Sequence, residues 1–552
     1  MKDVMRPSEN GVGGAYHSAD VQAGIGVLDS DGPADAFVLA ATRCRESVHV
    51  LRDDTTGAFT VAFGDGAGAL DATRPHLAHL ATLPPLYPEW LGSSEFLETH
   101  GVRFPYVSGA MAHGIATPRM VLAMARAELL AFYGSAGVPL EEVRANILAI
   151  QRELEGSGAS WGSDLIHTPH DPALEDELVE LYLRLGVRRV SASAFMRLTP
   201  AVVRYACTGL SLGDDGKIQR TNHLFAKLSR PEIARLFMSP APADIVAALV
   251  QRGLLSQAEA ALAVRVPLAE DITVEADSGG HTDNRPMTAL LPVMFGLRGE
   301  LQATHRYERP LRIGAAGGIG TPGAVAAAFG LGASYVMTGS ANQSSVEAGT
   351  SDLAKEMLAS AEMTDVAMAP SPDMFEMGVK VQVLKRGTMF APRASLLREL
   401  YRTYGGLDDI PADTIARIER EIFQRPLKDV WEETREFFAA RDPREVERAN
   451  RDAKHKMALV FRWYIGLASH WAIQGVPARK MDYQIWCGPA MGAFNRWVRG
   501  SFLADLANRS VVQIALNLLE GAAIVTRAQQ LRSFGLPVPD AAFDYTPRRL
   551  AC

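Results

Sequence analysis

Over the middle of this chain, short apolar runs that end in small residues alternate with helix-like stretches. From residue 102 the run FPYVSGAMA ends in glycine and alanine. MVLAMARAEL follows as a helix opened by Thr117-Pro118, an N-cap and first-turn pair. LLAFYGSAG then reads as a strand, 141–154 as a helix, SWGSDLIH as a strand, 175–185 as a helix and RRVSASAF as a strand. The alternation resumes with strands at 272–277, 311–316 and 334–338. Strands alternating with helices predict a parallel sheet in an α/β fold. The units suffice for a (β/α)8 barrel, though eight strands are not individually legible.

The flanks follow other patterns. Residues 1 to about 30 are rich in Gly, Ser and Asp and are predicted to be mobile. Between 36 and about 70, SVHVLR and AFTVAFGDG separated by DDTTG predict a small β-rich unit. LPPLYPEWLG reads as a linker or packed connection. After about residue 380 almost everything reads as helix: 393–404, 411–423, 426–440, 443–473 and 505–531. The expected division is 1–95, 96–380 and 381–552.

Composition narrows the function classes. With 56 basic and 63 acidic residues among 552, the net charge is −7, so no basic excess favours a nucleic-acid partner. Apolar residues make up 47%, ordinary for a soluble globular chain. The four cysteines form no CxxC, which argues against disulfide or cysteine-zinc scaffolds and fits a reducing cytoplasm. The N-terminus lacks an apolar signal core. The uncharged stretch 313–346 is too rich in Gly, Ser and Thr, and broken by Pro322, to span a membrane.

Four motifs carry candidate chemistry. LRIGAAGGIGTPGAVAAAFGLGASYVMTGS is strand, glycine turn, helix, strand. Gly317, Gly318 and Gly320 let a ligand approach the backbone, and the helix opened by Thr321-Pro322 suits a phosphate. Gly318, Gly320 and Gly323 also fit GxGxxG, but the next strand ends in Thr338-Gly339 without the acidic residue a dinucleotide fold requires. In ITVEADSGGHTDNRP, His281 follows Gly279 and Gly280 just past a strand end, which is the catalytic face of a barrel. It reads as a proton donor or base, or as a partner for a cofactor ring. YVSGAMAHG presents small residues and Met111 against which a flat ring could lie. DYQIWCGPAMGAFNR interleaves aromatics with glycines between helices and could line an entrance. Cys487 has no Cys–His–Asn order that would make it a nucleophile.

Taken together, EADSGGHTDNRP, AAGGIGTP, MTGSANQ, MFEMGVKVQVLKRGTMFAPRA and DYQIWCGPAMGAFN resemble the PfaD-like trans-acting enoyl reductases of polyketide and polyunsaturated fatty-acid synthases. These are FMN-binding TIM barrels related to flavin enoyl-acyl-carrier-protein reductases and nitronate monooxygenases. The resemblance covers about residues 85–540. It implies FMN at the C-terminal face, with Gly317, Gly318, Gly339 and Ser340 on its phosphate and Ala110, Met111 and Ala112 backing its ring. Ser163, in WGSD, stands where related barrels often place Asn. Gly279, Gly280 and His281 would stand beside the flavin, with Asp283 and Asn284 as neighbours of unassigned role.

The implied reaction reduces an enoyl thioester on an acyl carrier protein, with NADPH as hydride donor and His281 or water as proton source. The helical region would cover the site and dock the carrier protein, with Lys380, Lys385, Arg386 and Arg393 as a basic cluster for an acidic partner. The alternatives are a nitronate monooxygenase-type oxidase and a non-catalytic docking protein of a synthase. Whether the chain forms a homodimer is left open.

Overall fold

A computed structural model describes residues 26–27, 33–64, 76–169 and 171–551. The expectation of mobility for the first 30 residues lies outside these, save for Gly26–Val27. Contacts divide the chain into two units, one of Met1–Tyr87 with Ile524–Asp544 and Arg548–Cys552, the other of Pro88–Ala523 with Tyr545–Pro547. This grouping differs from the three-part division read from the sequence: residues 381–523 share a unit with the barrel.

In the larger unit, eight parallel strands close into a barrel. They are β1 (Tyr106–Ser108), β2 (Leu130–Tyr133), β3 (Gly162–Ile166), β4 (Arg189–Ser193), β5 (His223–Leu228), β6 (Asp271–Glu275), β7 (Arg312–Ala316) and β8 (Tyr335–Thr338). Each strand pairs with its sequence neighbour, and β8 closes on β1 through Val336 and Tyr106. The TIM-barrel expectation is met. The strand illegible in sequence is β5, whose HLFAKL carries no β-branched residue and has a lysine near its end.

Side chains alternate between interior and outer layer along each strand. Val107, Leu130, Phe132, Phe225, Ala316, Tyr335 and Met337 fill the interior. Phe96, on the helix Ser94–His100 that plugs the N-terminal end, stacks on Tyr335 with ring centroids 4.5 Å apart. Helices begin where the sequence provides caps: Thr117 accepts from the Met120 amide, and Asp171 from that of Leu174.

Two expectations for the C-terminal region change. Lys380–Leu384 is a strand, pairing antiparallel with Val366–Pro370 on one side and Gly280–His281 on the other. Its KVQVL alternation is a period-two signal. The stretch 443–473 is two helices, Pro443–Arg451 and Ala453–Gln474, because Asp452 leaves helical geometry and caps the second by accepting from the His455 amide.

In the smaller unit, an antiparallel sheet has the order 26–27, 59–63, 48–53, 77–83. The start of the expected β-rich stretch is instead a helix, Pro33–Thr42. Phe37, Ala40, Ala41 and Cys44 are all buried, a helical spacing that the absence of alternating polar positions already allowed. Among the described residues one helix, Val511–Ser533, is long and apolar enough to cross a membrane, and 83% of its most apolar window is buried inside the protein.

Candidate active site at the C-terminal mouth of the barrel

At the ends of β7 and β8 the backbone leaves room for a ligand. Gly317 has φ +82°, and a Cβ there would sit 2.6 Å from the Ala276 carbonyl carbon, so no side chain fits. Gly318, at φ +72°, instead faces open space, as does Gly339 beyond β8. Ser340 stands beside Gly339, and its hydroxyl accepts from the Gly488 amide at 3.1 Å. Thr321 caps the helix Pro322–Gly330 by accepting from the Ala324 amide. Because β7 and β8 are adjacent, these four expected phosphate residues lie on neighbouring strand ends. Gly320 serves packing instead, since the absence of a side chain lets it lie close against the Ala490 carbonyl.

Beyond β1, Ala110, Met111 and Ala112 are half-buried on the turn leading to His113. His113, which the sequence left without a role, adopts φ +56°. Its ring stacks on Trp486 with centroids 5.5 Å apart and meets His470 edge-on at 5.1 Å. Burial drives this imidazole down to about 4, with His470 pushing the same way against weaker pulls from Gly137 and Asp373. It is therefore neutral near neutral pH.

The GGH loop is fastened from several sides. Gly280–His281 pairs with Gln382 and Val381, and Gly279 lies against the Cys487 backbone. Gln382 donates to Asp277 Oδ1 at 2.8 Å and to the Ser278 carbonyl at 2.7 Å. Asn284 donates to Asp277 Oδ1 and Gln382 Oε1 at 2.9 and 3.0 Å. Asp283 accepts from Ser229 and, through both oxygens, from Arg230. The two motif neighbours of unassigned role thus hold the loop in place.

His281 Nε2 lies 3.2 Å from Ser371 Oγ and 3.4 Å from Asp373 Oδ2, and Ser371 also bonds Asp373. Burial alone would raise the Asp373 carboxyl, but the hydrogen bond and charge of His281, with help from Ser371, bring it down to about 2. An ionised carboxylate therefore stands behind His281. Cys487 is buried and its thiol is pushed up to about 12 by desolvation, so it is not an activated nucleophile.

The structure sets Ser163 apart from the other predicted residues. It is fully buried, with its hydroxyl 2.9 Å from Tyr182 on the surrounding helix Pro172–Leu185 and 3.2 Å from Ser135. It faces the outer layer. The next residue, Asp164, takes the alternate direction and accepts from Ser135 and the Ala136 amide at 2.6 and 3.0 Å. Sequence reading also missed Lys227 and Glu275, near the ends of β5 and β6, joined at 2.5 Å. The available signal was a lysine near the end of an apolar run, hidden because that run was not taken as a strand. Asp373, Ser371 and Trp486 reach the mouth only through tertiary contacts.

Residues 404–483 match the family model of the acyl-carrier-protein S-malonyltransferase inserted helical domain. The chain is 45% identical over 467 residues to a polyunsaturated fatty acid synthase polypeptide of Thraustochytrium sp., covering 83% of this chain and 31% of that protein. It is 44% identical over 437 residues to polyketide biosynthesis protein PksE of Bacillus subtilis, covering 79% and 56% respectively. It therefore spans between about a third and somewhat over half of these curated relatives. Among solved structures, the enoyl reductase domain of MlnA from the macrolactin biosynthesis cluster of Bacillus amyloliquefaciens is similar with a TM-score of 0.77 and 37% identity, covering 81% of this chain and 99% of that domain.

Proposed function

The chain belongs to the family of the MlnA enoyl reductase domain, and on that premise we propose that it is an FMN-dependent enoyl reductase serving a polyketide or polyunsaturated fatty-acid synthase. The observation that carries this reading is the cradle at the ends of β7 and β8. Gly317 is too crowded for any Cβ, while Gly318 and Gly339 border free space. The residues present fit a phosphate-bearing ring cofactor. Gly317, Gly318, Gly339 and Ser340 would hold the phosphate, Ala110, Met111 and Ala112 would back the ring, and Gly279 and Gly280 would bring His281 to its edge.

When bound, FMN supplies the capacity to pass a hydride from NADPH to the β-carbon of an enoyl thioester. The chain's own residues do the rest. His281, backed by Asp373 and Ser371, presents an N–H to the thioester carbonyl side, where negative charge develops, and can deliver a proton to the α-carbon. Gln382, Asn284 and Asp283 keep its loop from moving away. Trp486 and His113 form a flat wall at the same mouth.

The substrate would arrive on an acyl carrier domain. Lys385 and Arg386 are exposed beside an open groove lined by Ala367, Met368, Met389 and Pro392; Arg386 pairs with Asp365 at 3.0 Å, so Lys385 is the cation most open to an acidic helical partner. Arg393 is drawn away from that surface to Asp482. Three buried cysteines without disulfides fit a cytoplasmic setting.

The test is direct. Heat should release FMN from the purified protein, and the protein should reduce carrier-bound crotonyl thioester with NADPH faster than with NADH. Release of FAD, or of no chromophore, overturns the cofactor assignment. Gly318→Asp should empty the site, because its carboxylate would project into the space proposed for the phosphate.

A further inference from the structure

The floor of the barrel mouth carries a charged pair that the reading above leaves unused. Along β5, Phe225 belongs to the interior, so Lys227, two residues on, points the same way. Along β6, Thr273 bonds the interior Tyr335 hydroxyl at 2.7 Å, so Glu275 also faces inward. Their side chains meet at 2.5 Å in the layer nearest the C-terminal face, and Ser278 of the GGH loop donates to the same Glu275 oxygen at 3.0 Å. Lys227 retains 24% and Glu275 13% of its side-chain exposure, so the pair is reachable from the mouth.

The charged residues Asp271 and Arg312 inside the barrel lie at its opposite end and are sealed, at 1% and 2% exposure. An inward ion pair kept accessible has a different use from one that is closed over. In the eight-membered strand order, β5 stands opposite β1. A ring backed by Ala110–Ala112 beyond β1, with its phosphate beyond β7 and β8, would therefore have Lys227 across the mouth from that backing.

Resting on the flavin-dependent reading, we propose that Lys227, restrained by Glu275, sets how readily the bound flavin takes up electrons. A hydride brings two electrons and one proton, so the ring gains one net negative charge while the nicotinamide that gave it leaves with one positive charge. An ammonium group facing the ring favours the charged product over the neutral oxidised form, and Glu275 moderates that pull. The pair is thus a tuning device with two opposing members, and removing each shifts the balance in an opposite sense.

The experiment measures the flavin midpoint potential of the flavin-loaded protein by equilibration with a reference dye, together with its affinity for sulfite, which adds to oxidised flavin as an anion. Lys227→Met should disfavour the reduced form at least tenfold, about 30 mV more negative for a two-electron couple, and weaken sulfite binding at least tenfold. Glu275→Gln should move both quantities the other way, and Lys227→Arg should stay near the parent. Opposite shifts in variants of full flavin content establish the pair's role. Unchanged potentials in flavin-loaded Lys227→Met and Glu275→Gln overturn it and leave the pair as filler of the barrel layer. A parent protein that binds no flavin overturns the cofactor reading and this proposal together, and flavin content alone tells the two failures apart.

Discussion

The two ends of the barrel are built from the same strands to opposite specifications. At the N-terminal end Arg312 grips Asp271 through two bonds of 2.7 Å, His100 donates to Asp271 at 3.1 Å, and Arg189 reaches the other nitrogen of His100 at 3.3 Å. Burial would raise the Asp271 carboxyl, but Arg312 and His100 hold it well below the usual range. The C-terminal end has two glycines facing open space, Gly318 and Gly339, the first in left-handed backbone, with His113 also in left-handed backbone and a half-exposed His281. One end spends its polar groups on one another, and the other leaves them able to meet something else. In a barrel, that asymmetry is the difference between holding the fold and performing chemistry.

Breaking the closed end gives the largest effect. Arg312→Met leaves Asp271 buried without its main partner and should cost about 3–5 kcal/mol of stability in chemical denaturation. A loss under about 1 kcal/mol would show that the cluster is dispensable. At the open end, His281→Ala should keep the flavin and the stability but slow enoyl reduction about 10²–10⁴-fold. Full turnover in that variant would return His281 to a packing role, and loss of flavin would make it a binding residue.

A pH titration sharpens the contrast. His113 is pulled from 6.5 to about 4 by burial, so between those values the unfolded chain binds a proton that the folded chain refuses. Stability is therefore lost as pH falls from about 6.5 toward 4, by up to about 3 kcal/mol from this group. His100 and His223 at the closed end are lowered in the same direction by burial and add to the same limb. Asp373, lowered to about 2, loses its contribution only below the ordinary carboxylate range. His113→Phe, which preserves a ring against Trp486, should flatten this limb in denaturation curves taken from about pH 7 to 4. An unchanged slope would mean that His113 is solvated.

The smallest effect belongs outside the mouth. Charge reversal of Lys385 and Arg386 to Glu should weaken reduction of the carrier-bound thioester several-fold, more at low salt, while leaving a small free thioester unaffected. Equal loss on both substrates would point to a folding defect.

Seven barrel strands were legible because apolar runs ending in small residues are written locally. β5 was not, since HLFAKL has a weak strand signature and its lysine is explained only by Glu275 on the next strand. The break at Asp452 could have been read as a cap inside a helical pattern. Lys380–Leu384 was lost because a single alternating pentapeptide is weak evidence among helices.

The sequence by itself determined the alternation that makes the barrel, the glycines that permit a close approach beyond β7 and β8, and the placement of His281 just past a strand end. Each of these depends on residues a few positions apart. Tertiary structure alone decided that Ser163 faces the outer layer while Asp164 faces the other way, because strand direction inverts with every residue and the absolute phase is set by packing. It also decided that Asp373 stands behind His281 and that Trp486 lies on His113. Those partners are 92 and 373 positions apart in the chain, and only closure of the fold brings their charges and rings within reach.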